Sequence, residues 1–146
     1  MTLDSFEFEH QDSTAVPVVL IVDDSPTILR VIDLALTETN WKIHKAKDGL
    51  EALKLVKQII PDLIVLDVML PVYNGYQICS LLKKNPRFKH IPVIMLTAKT
   101  SAIDKIRGRF AHADTYLTKP FSKSELLDAC KTHLRRLKAD GKGIGS

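Results

Sequence analysis

Leu63-Ile-Val-Leu-Asp67 constrains this chain more than any other stretch. Four consecutive apolar residues, opened by Pro61-Asp62, read as a strand covered on both faces, as in a parallel sheet. The run delivers a single carboxylate, Asp67, to its carboxyl end. In open parallel α/β sheets that end is where ligands bind. Three more segments share this plan. Val18–Val22 ends in Asp23-Asp24, Val93–Leu96 ends in Thr97, and Thr115–Thr118 ends in Lys119-Pro120. Four strands therefore bring three carboxylates, a hydroxyl and an ammonium to one edge.

Helical patterns fill the gaps between strands. After the first strand, Ser25 suits an N-cap and Pro26 the first helical position. Ile28, Ile32, Ala35 and Leu36 then share one helical face, to about Glu38. Trp41–Ala46 reads as a polar, hence outer, second strand, with Ile43 and Ala46 facing inward. Asp48-Gly-Leu-Glu51 resembles a capping box with Asp48 as the cap, ahead of Ala52, Leu53, Val56 and Ile60. Tyr76, Cys79 and Leu82 mark a third helix that Asn85-Pro86 breaks. Ser101 and Asp104 start a fourth, with Ile103, Ile106 and Phe110 apolar. Ser122-Lys-Ser-Glu125 is a second capping box and opens a last helix, to about Leu137.

Five strands alternating with five helices, joined by short connections, give a doubly wound α/β fold with helices on both faces. In the flavodoxin-like order 2-1-3-4-5 the first and third strands are neighbours at the switch point. Asp23, Asp24 and Asp67 then share one crevice. The expected domain occupies residues 17–138, between a flexible acidic tail at 1–16 and a flexible end at 139–146.

At 146 residues, 45% of them apolar, the chain suits one domain with a proper core. No apolar run approaches the ~20 residues that span a bilayer. The first residues lack a basic stretch followed by an apolar one, so no secretory signal is read. Cys79 and Cys130 fall at apolar helical positions, which favours buried reduced thiols over a disulfide or a metal pair. These features point to the cytoplasm. The formal charge of +4 divides into −4 over residues 1–16 and +8 over the rest. Aromatic residues do not interleave with the basic ones, so solvated helix faces are favoured over a nucleic-acid surface. Within the acidic tail, Phe6 and Phe8 alternate with Glu7 and Glu9, the pattern of a short edge strand or a docking peptide.

Asp23-Asp24, Asp67-Val-Met-Leu-Pro71 with Gly75, Thr97-Ala98 and Tyr116-Leu-Thr-Lys119-Pro120-Phe121 together resemble the receiver domain of two-component response regulators. The resemblance covers about residues 17–138, and the chain also resembles the small chemotaxis-type regulators, including those tied to pilus motility. Each motif alone is weak, since an Asp after a strand is commonly a turn or cap residue. All of them in this order are specific. The resemblance implies that Asp67 is the phosphoacceptor, and that Asp23, Asp24, Asp67 and the backbone carbonyl of Met69 hold Mg²⁺. It also makes Lys119 the lysine of the site, Thr97 the switch hydroxyl and Tyr116 the aromatic switch. Two departures stand out: His112-Ala113 replaces the small glycine common ahead of the last strand, and Met69 stands where some relatives carry a polar residue.

The residue chemistry agrees with these roles. Phosphoryl transfer to a carboxylate brings negative charge against negative charge, so catalysis is mostly positioning and electrostatic stabilisation. Mg²⁺ prefers oxygen ligands and retains waters, which suits carboxylates plus one carbonyl. Lys119 adds a mobile positive charge. A cis Lys119–Pro120 peptide would aim it into the crevice.

The expected function is a stand-alone receiver that takes a phosphoryl group from a histidine kinase and signals to a downstream protein effector, in chemotaxis, phototaxis or pilus motility. It is not an enzyme beyond its own phosphorylation and dephosphorylation, and is expected to be a monomer or weak dimer with no nucleic-acid partner and no membrane insertion. The alternative is a small Mg²⁺-dependent phosphatase or phosphotransferase with Asp67 as nucleophile. Such enzymes place a second acid two residues past the nucleophile, where this chain has Met69. A nucleotide-binding module would need a glycine-rich loop after Val22.

Overall fold

All five residues of Leu63–Asp67 (β3) are buried, as the apolar run requires. The computed structural model describes residues 15–98 and 112–145, with 136–145 as backbone alone. In chain order the other elements are β1 (Val18–Val22), α1 (Pro26–Leu36), β2 (Lys42–Ala46), α2 (Gly49–Ile59), α3 (Gly75–Lys84), β4 (Val93–Thr97), β5 (Thr115–Thr118) and α4 (Lys123–Gly145). The fourth expected helix, with Ser101, Asp104 and Phe110, lies outside the described residues. The strands form one parallel sheet in the order β2-β1-β3-β4-β5.

Strand alternation divides the core in two. Leu20, Val22, Ile64, Leu66, Val93 and Met95 face α2 and α3, where Ala52, Val56, Ile78, Cys79 and Leu82 meet them. Val19, Ile21, Leu63, Val65, Ile94 and Leu96 face α1 and α4, meeting Ile32, Leu36, Leu126 and Cys130. Truncating a fully buried leucine such as Leu66 to alanine removes about 2–5 kcal/mol. The two cysteines are free and buried on opposite sides of the sheet, which excludes a disulfide between them. Burial pushes both thiols up to about 12. No helix among the described residues is long and apolar enough to cross a membrane.

The caps follow the sequence closely. Ser25 Oγ accepts from the Ile28 N–H at 3.2 Å, and Ser122 and Glu125 exchange both bonds of a capping box, at 3.0 and 2.9 Å. At Asp48 the match is partial. Glu51 N–H does donate to Asp48 Oδ1, at 2.8 Å, but the Glu51 carboxylate accepts from Lys47 N–H, not from the cap residue itself. The C-terminal end also differs. The apolar pattern ends the last helix near Leu137, whereas α4 continues to Gly145. Lys138, Ala139 and Asp140 do not oppose a helix, and a glycine weakens one by only about 1 kcal/mol.

Candidate functional site

Register assembles the site. Val22 pairs with Leu66, so the next residues, Asp23 and Asp67, leave β1 and β3 side by side. Asp67 pairs with Leu96, and Thr97 with Thr118. Lys119 therefore follows directly beside Thr97, and its N–H donates to the Thr97 carbonyl at 2.6 Å. Backbone bonds fix the strand ends. Asp23 N–H donates to the Ala46 carbonyl at 3.1 Å and Val68 N–H to that of Leu96 at 3.0 Å. The Lys119–Pro120 peptide is cis.

A close approach behind Asp67 explains Gly75. A Cβ there would lie 2.3 Å from the Asp67 carbonyl oxygen and 2.8 Å from Val68 Cα, so a side chain would force α3 off the end of β3. Just before it, Asn74 and Gln77 form a reciprocal capping box that starts α3. The Asn-x-x-Gln spacing carried this signal in the sequence, but it falls in what reads there as loop.

Asp23 and Asp67 are 1% and 3% exposed, whereas Asp24 is open to solvent. One carboxylate oxygen from each lies within 4.8 Å of the others. Lys119 Nζ bonds Asp67 Oδ1 at 3.0 Å and approaches Asp23 Oδ2 at 3.4 Å. Burial raises the Asp23 carboxyl above its usual range. The Ser25 N–H opposes this at 2.9 Å, the Asp67 charge adds to it, and Lys119 opposes it. Burial alone would lower Lys119, but its hydrogen bond to Asp67 and the two carboxylate charges leave it raised. Three acids thus face one ammonium across a cluster that excludes water at two of them.

Thr97 is buried, with its hydroxyl 3.5 Å from the Leu117 carbonyl. Tyr116 pairs with Met95, two residues before Thr97, so both point to the α3 side of the sheet. Tyr116 is 40% exposed, and its phenol is raised, first by burial of the part that is covered. Met69, 70% exposed, lines an open groove together with Asp24, Asn74 and Tyr76. Asp23, Asp24, Asp67, Met69, Thr97 and Lys119 therefore lie at or beside the carboxyl edge of β1, β3, β4 and β5, whereas Tyr116 sits within β5, opposite the middle of β4. A feature without a sequence signal is Val72, a β-branched residue with φ 66° at 86% exposure in the loop after β3.

Residues 19–131 match the family model described as the response regulator receiver domain. The chain is 45% identical over 116 residues to protein PilG of Pseudomonas aeruginosa, an overlap of 80% of this chain and 86% of that protein. It is 42% identical over 120 residues to the DNA-binding dual master transcriptional regulator RpaA of Synechocystis sp., where the overlap is 82% of this chain and 50% of RpaA. The crystallised chemotaxis protein CheY4 of Vibrio cholerae superimposes with a TM-score of 0.76 at 32% identity, covering 82% of this chain and 100% of that one.

Proposed function

The chain belongs to the response regulator receiver domain family, and from that premise we propose that it is a phospho-accepting switch with Asp67 as the acceptor. The observation that carries this reading is the Asp67 carboxylate at the end of a fully buried strand, 3.0 Å from Lys119 Nζ. An Asp67 oxygen attacks the phosphorus of a phosphohistidine on a histidine kinase. The P–N bond breaks as the P–O bond forms, and the imidazole leaves and takes a proton from water. Lys119 stands 3.0 Å from Asp67 Oδ1, and its ammonium is placed to meet the incoming phosphoryl oxygens. Water later cleaves the acyl phosphate, so turnover is limited to the chain's own modification.

The donor set fits Mg²⁺. Three carboxylate oxygens within 4.8 Å, two of them buried, repel one another beyond what one lysine offsets. Asp23, Asp24, Asp67 and the Met69 carbonyl would hold the ion, and the groove beside Asp24 leaves room for its waters. When bound, it supplies charge neutralisation for the phosphoryl group.

Among the described residues the buried Thr97 hydroxyl makes only a long bond, at 3.5 Å, which lets it turn toward a phosphoryl group. Tyr116, on the same side of the sheet and half out of the protein, then moves into the space behind it. A downstream protein reads the altered surface. The likeness to PilG and to a chemotaxis protein supports a role in chemotaxis or pilus motility. The test is incubation with acetyl phosphate and Mg²⁺, followed by intact mass. One phosphoryl mass is expected on the parent and none on Asp67→Asn. A modified Asp67→Asn chain overturns the assignment.

A further inference from the structure

β2 is the outer strand of the sheet, and its only ladder among the described residues runs to β1. Lys42 N–H donates to the Pro17 carbonyl and the Ala46 carbonyl accepts from Asp23 N–H, so residues 42 and 46 turn their backbone groups toward β1. Alternation then turns the N–H and C=O of Ile43 and Lys45 outward. Such an edge is a template for another strand. Its side chains are basic: Lys42, Lys45 and Lys47 are exposed. The nearby acids are already engaged, with Asp33 on Lys45 and with Asp48 and Glu51 on backbone N–H groups. On the α1 side of this edge, Trp41 and Ile43 are half-buried against the core and leave apolar surface open.

Residues 4–12 carry the complement. Asp4, Glu7, Glu9 and Asp12 occur there with no lysine or arginine, and Phe6 and Phe8 alternate with the two glutamates. In an extended segment the two aromatic side chains share one face and Glu7 and Glu9 the other. We infer that residues 5–9 add to the outer edge of β2 as an antiparallel strand, Phe6 and Phe8 covering Trp41 and Ile43 and the glutamates meeting Lys42. The direction follows from the connection. β1 starts at the same end of the sheet as β2, so the shortest connection from the β2 edge to Pro17 has the segment running opposite to β2. Residues 10–16 reach at most about 25 Å when extended, against roughly 10 Å for two strand spacings. This docking closes the sheet's open edge, gives the acidic segment a fixed place, and does not depend on the phosphoryl chemistry above.

Amide hydrogen exchange of the full chain, read by NMR, tests it. Ile43 and Lys45 N–H are expected to exchange at least ~10-fold more slowly in the parent than in Phe6→Asp/Phe8→Asp. Leu20 and Ile21 amides, inside the sheet, should be equally protected in both, which shows that the variant is folded. Glu7→Lys/Glu9→Lys should lose part of the protection, and added salt should reduce that difference. Equal, fast exchange at residues 43 and 45 in parent and variant overturns the docking. So does protection that falls on dilution, which would give the strand to a second copy.

Discussion

The two edges of the sheet use the same side chain in opposite ways. At the amino-terminal edge, Asp62 accepts from Val18 N–H at 2.8 Å and its own N–H donates back to the Val18 carbonyl. Asp114 accepts from Val93 N–H at 2.8 Å and from Lys83 Nζ at 2.7 Å. Both are exposed acids whose oxygens bind fixed donors of the fold. At the carboxyl edge, Asp23 and Asp67 are nearly inaccessible and share one lysine, with Asp24 beside them. Burial holds the Asp23 carboxyl high there. An aspartate is structural where its donors are complete and chemical where they are short. The shortage, more than the residue type, marks the edge proposed to carry the function.

The largest expected effect lies at the edge without chemistry. Lys83 is only 12% exposed at its side chain and also donates to the Ile91 carbonyl at 2.8 Å. Asp114→Ala leaves that ammonium short of charge and Val93 N–H without its acceptor, at a cost of about 2–4 kcal/mol. Asp67→Asn should change stability by under ~1 kcal/mol, because it relieves repulsion with Asp23 as it weakens the Lys119 bond. Urea unfolding of both variants, with phosphorylation by acetyl phosphate in parallel, separates the roles. Asp114→Ala should still be phosphorylated. Equal destabilisation by the two changes would erase the distinction between the edges.

Much of this was legible before any coordinates. The buried run into Asp67, the acid pair after Val22 and the capping serines depend on local pattern, which the sequence displays directly. Asp23, Asp24, Asp67, Thr97 and Lys119 could be grouped because a parallel sheet sends every strand's carboxyl end to one edge. Asp62 and Asp114 as edge clasps could not. Their partners lie 44 and 21 residues away, and only the strand register brings them together. Gly75 stood in the family motif, but its reason, the Asp67 carbonyl 2.3 Å from a would-be Cβ, is a tertiary distance. The Asn74–Gln77 box was visible as spacing yet sat in an apparent loop. Glu51 shows the limit of pattern from the other side, since a capping-box spacing there bonds the preceding residue.

Next in size is the response to metal. Mg²⁺ at 100 times its dissociation constant should stabilise the fold by about 2.7 kcal/mol, read as a rise in melting temperature. Asp24→Ala should lose much of that rise and leave the metal-free protein no less stable, since an exposed like charge is removed. Asp62→Ala should retain the whole rise. A melting temperature indifferent to Mg²⁺ in the parent would mean that the carboxyl edge is not short of cations at all.

A smaller effect is expected from pH. Asp23 binds its proton more tightly in the folded chain than in the unfolded one, because its folded value lies above 3.8. Its charged form therefore weakens the fold at neutral pH. That penalty fades as pH falls through the folded value and is gone below 3.8. Asp23→Asn should be more stable than the parent at neutral pH without Mg²⁺, a difference that closes on acidification. Thermal unfolding across the acid range measures it. A gap that widens toward low pH would show that Lys119 more than offsets the burial of Asp23.

The smallest effect sharpens the contrast between the edges most finely. His112, in the turn before β5, and Val72, in the loop after β3, both take the left-handed region without being glycine, at φ 61° and 66°. Glycine there relieves about 1–2 kcal/mol of steric cost. It returns roughly 0.5–1 kcal/mol as added freedom of the unfolded chain. Each of His112→Gly and Val72→Gly should therefore stabilise by about 0.5 kcal/mol, with Val72 the larger because it is β-branched. Their consequences for the site should differ. His112 precedes the strand at the edge that only holds the fold together. Val72 lies between Met69 and Asn74, residues that line the groove beside Asp24. Loosening that loop should slow phosphorylation by acetyl phosphate several-fold, whereas His112→Gly should leave the rate unchanged. A Val72→Gly chain that gains stability and phosphorylates at the parental rate would make the turn at the carboxyl edge a folding feature, no different in kind from its counterpart at the other end of the strands.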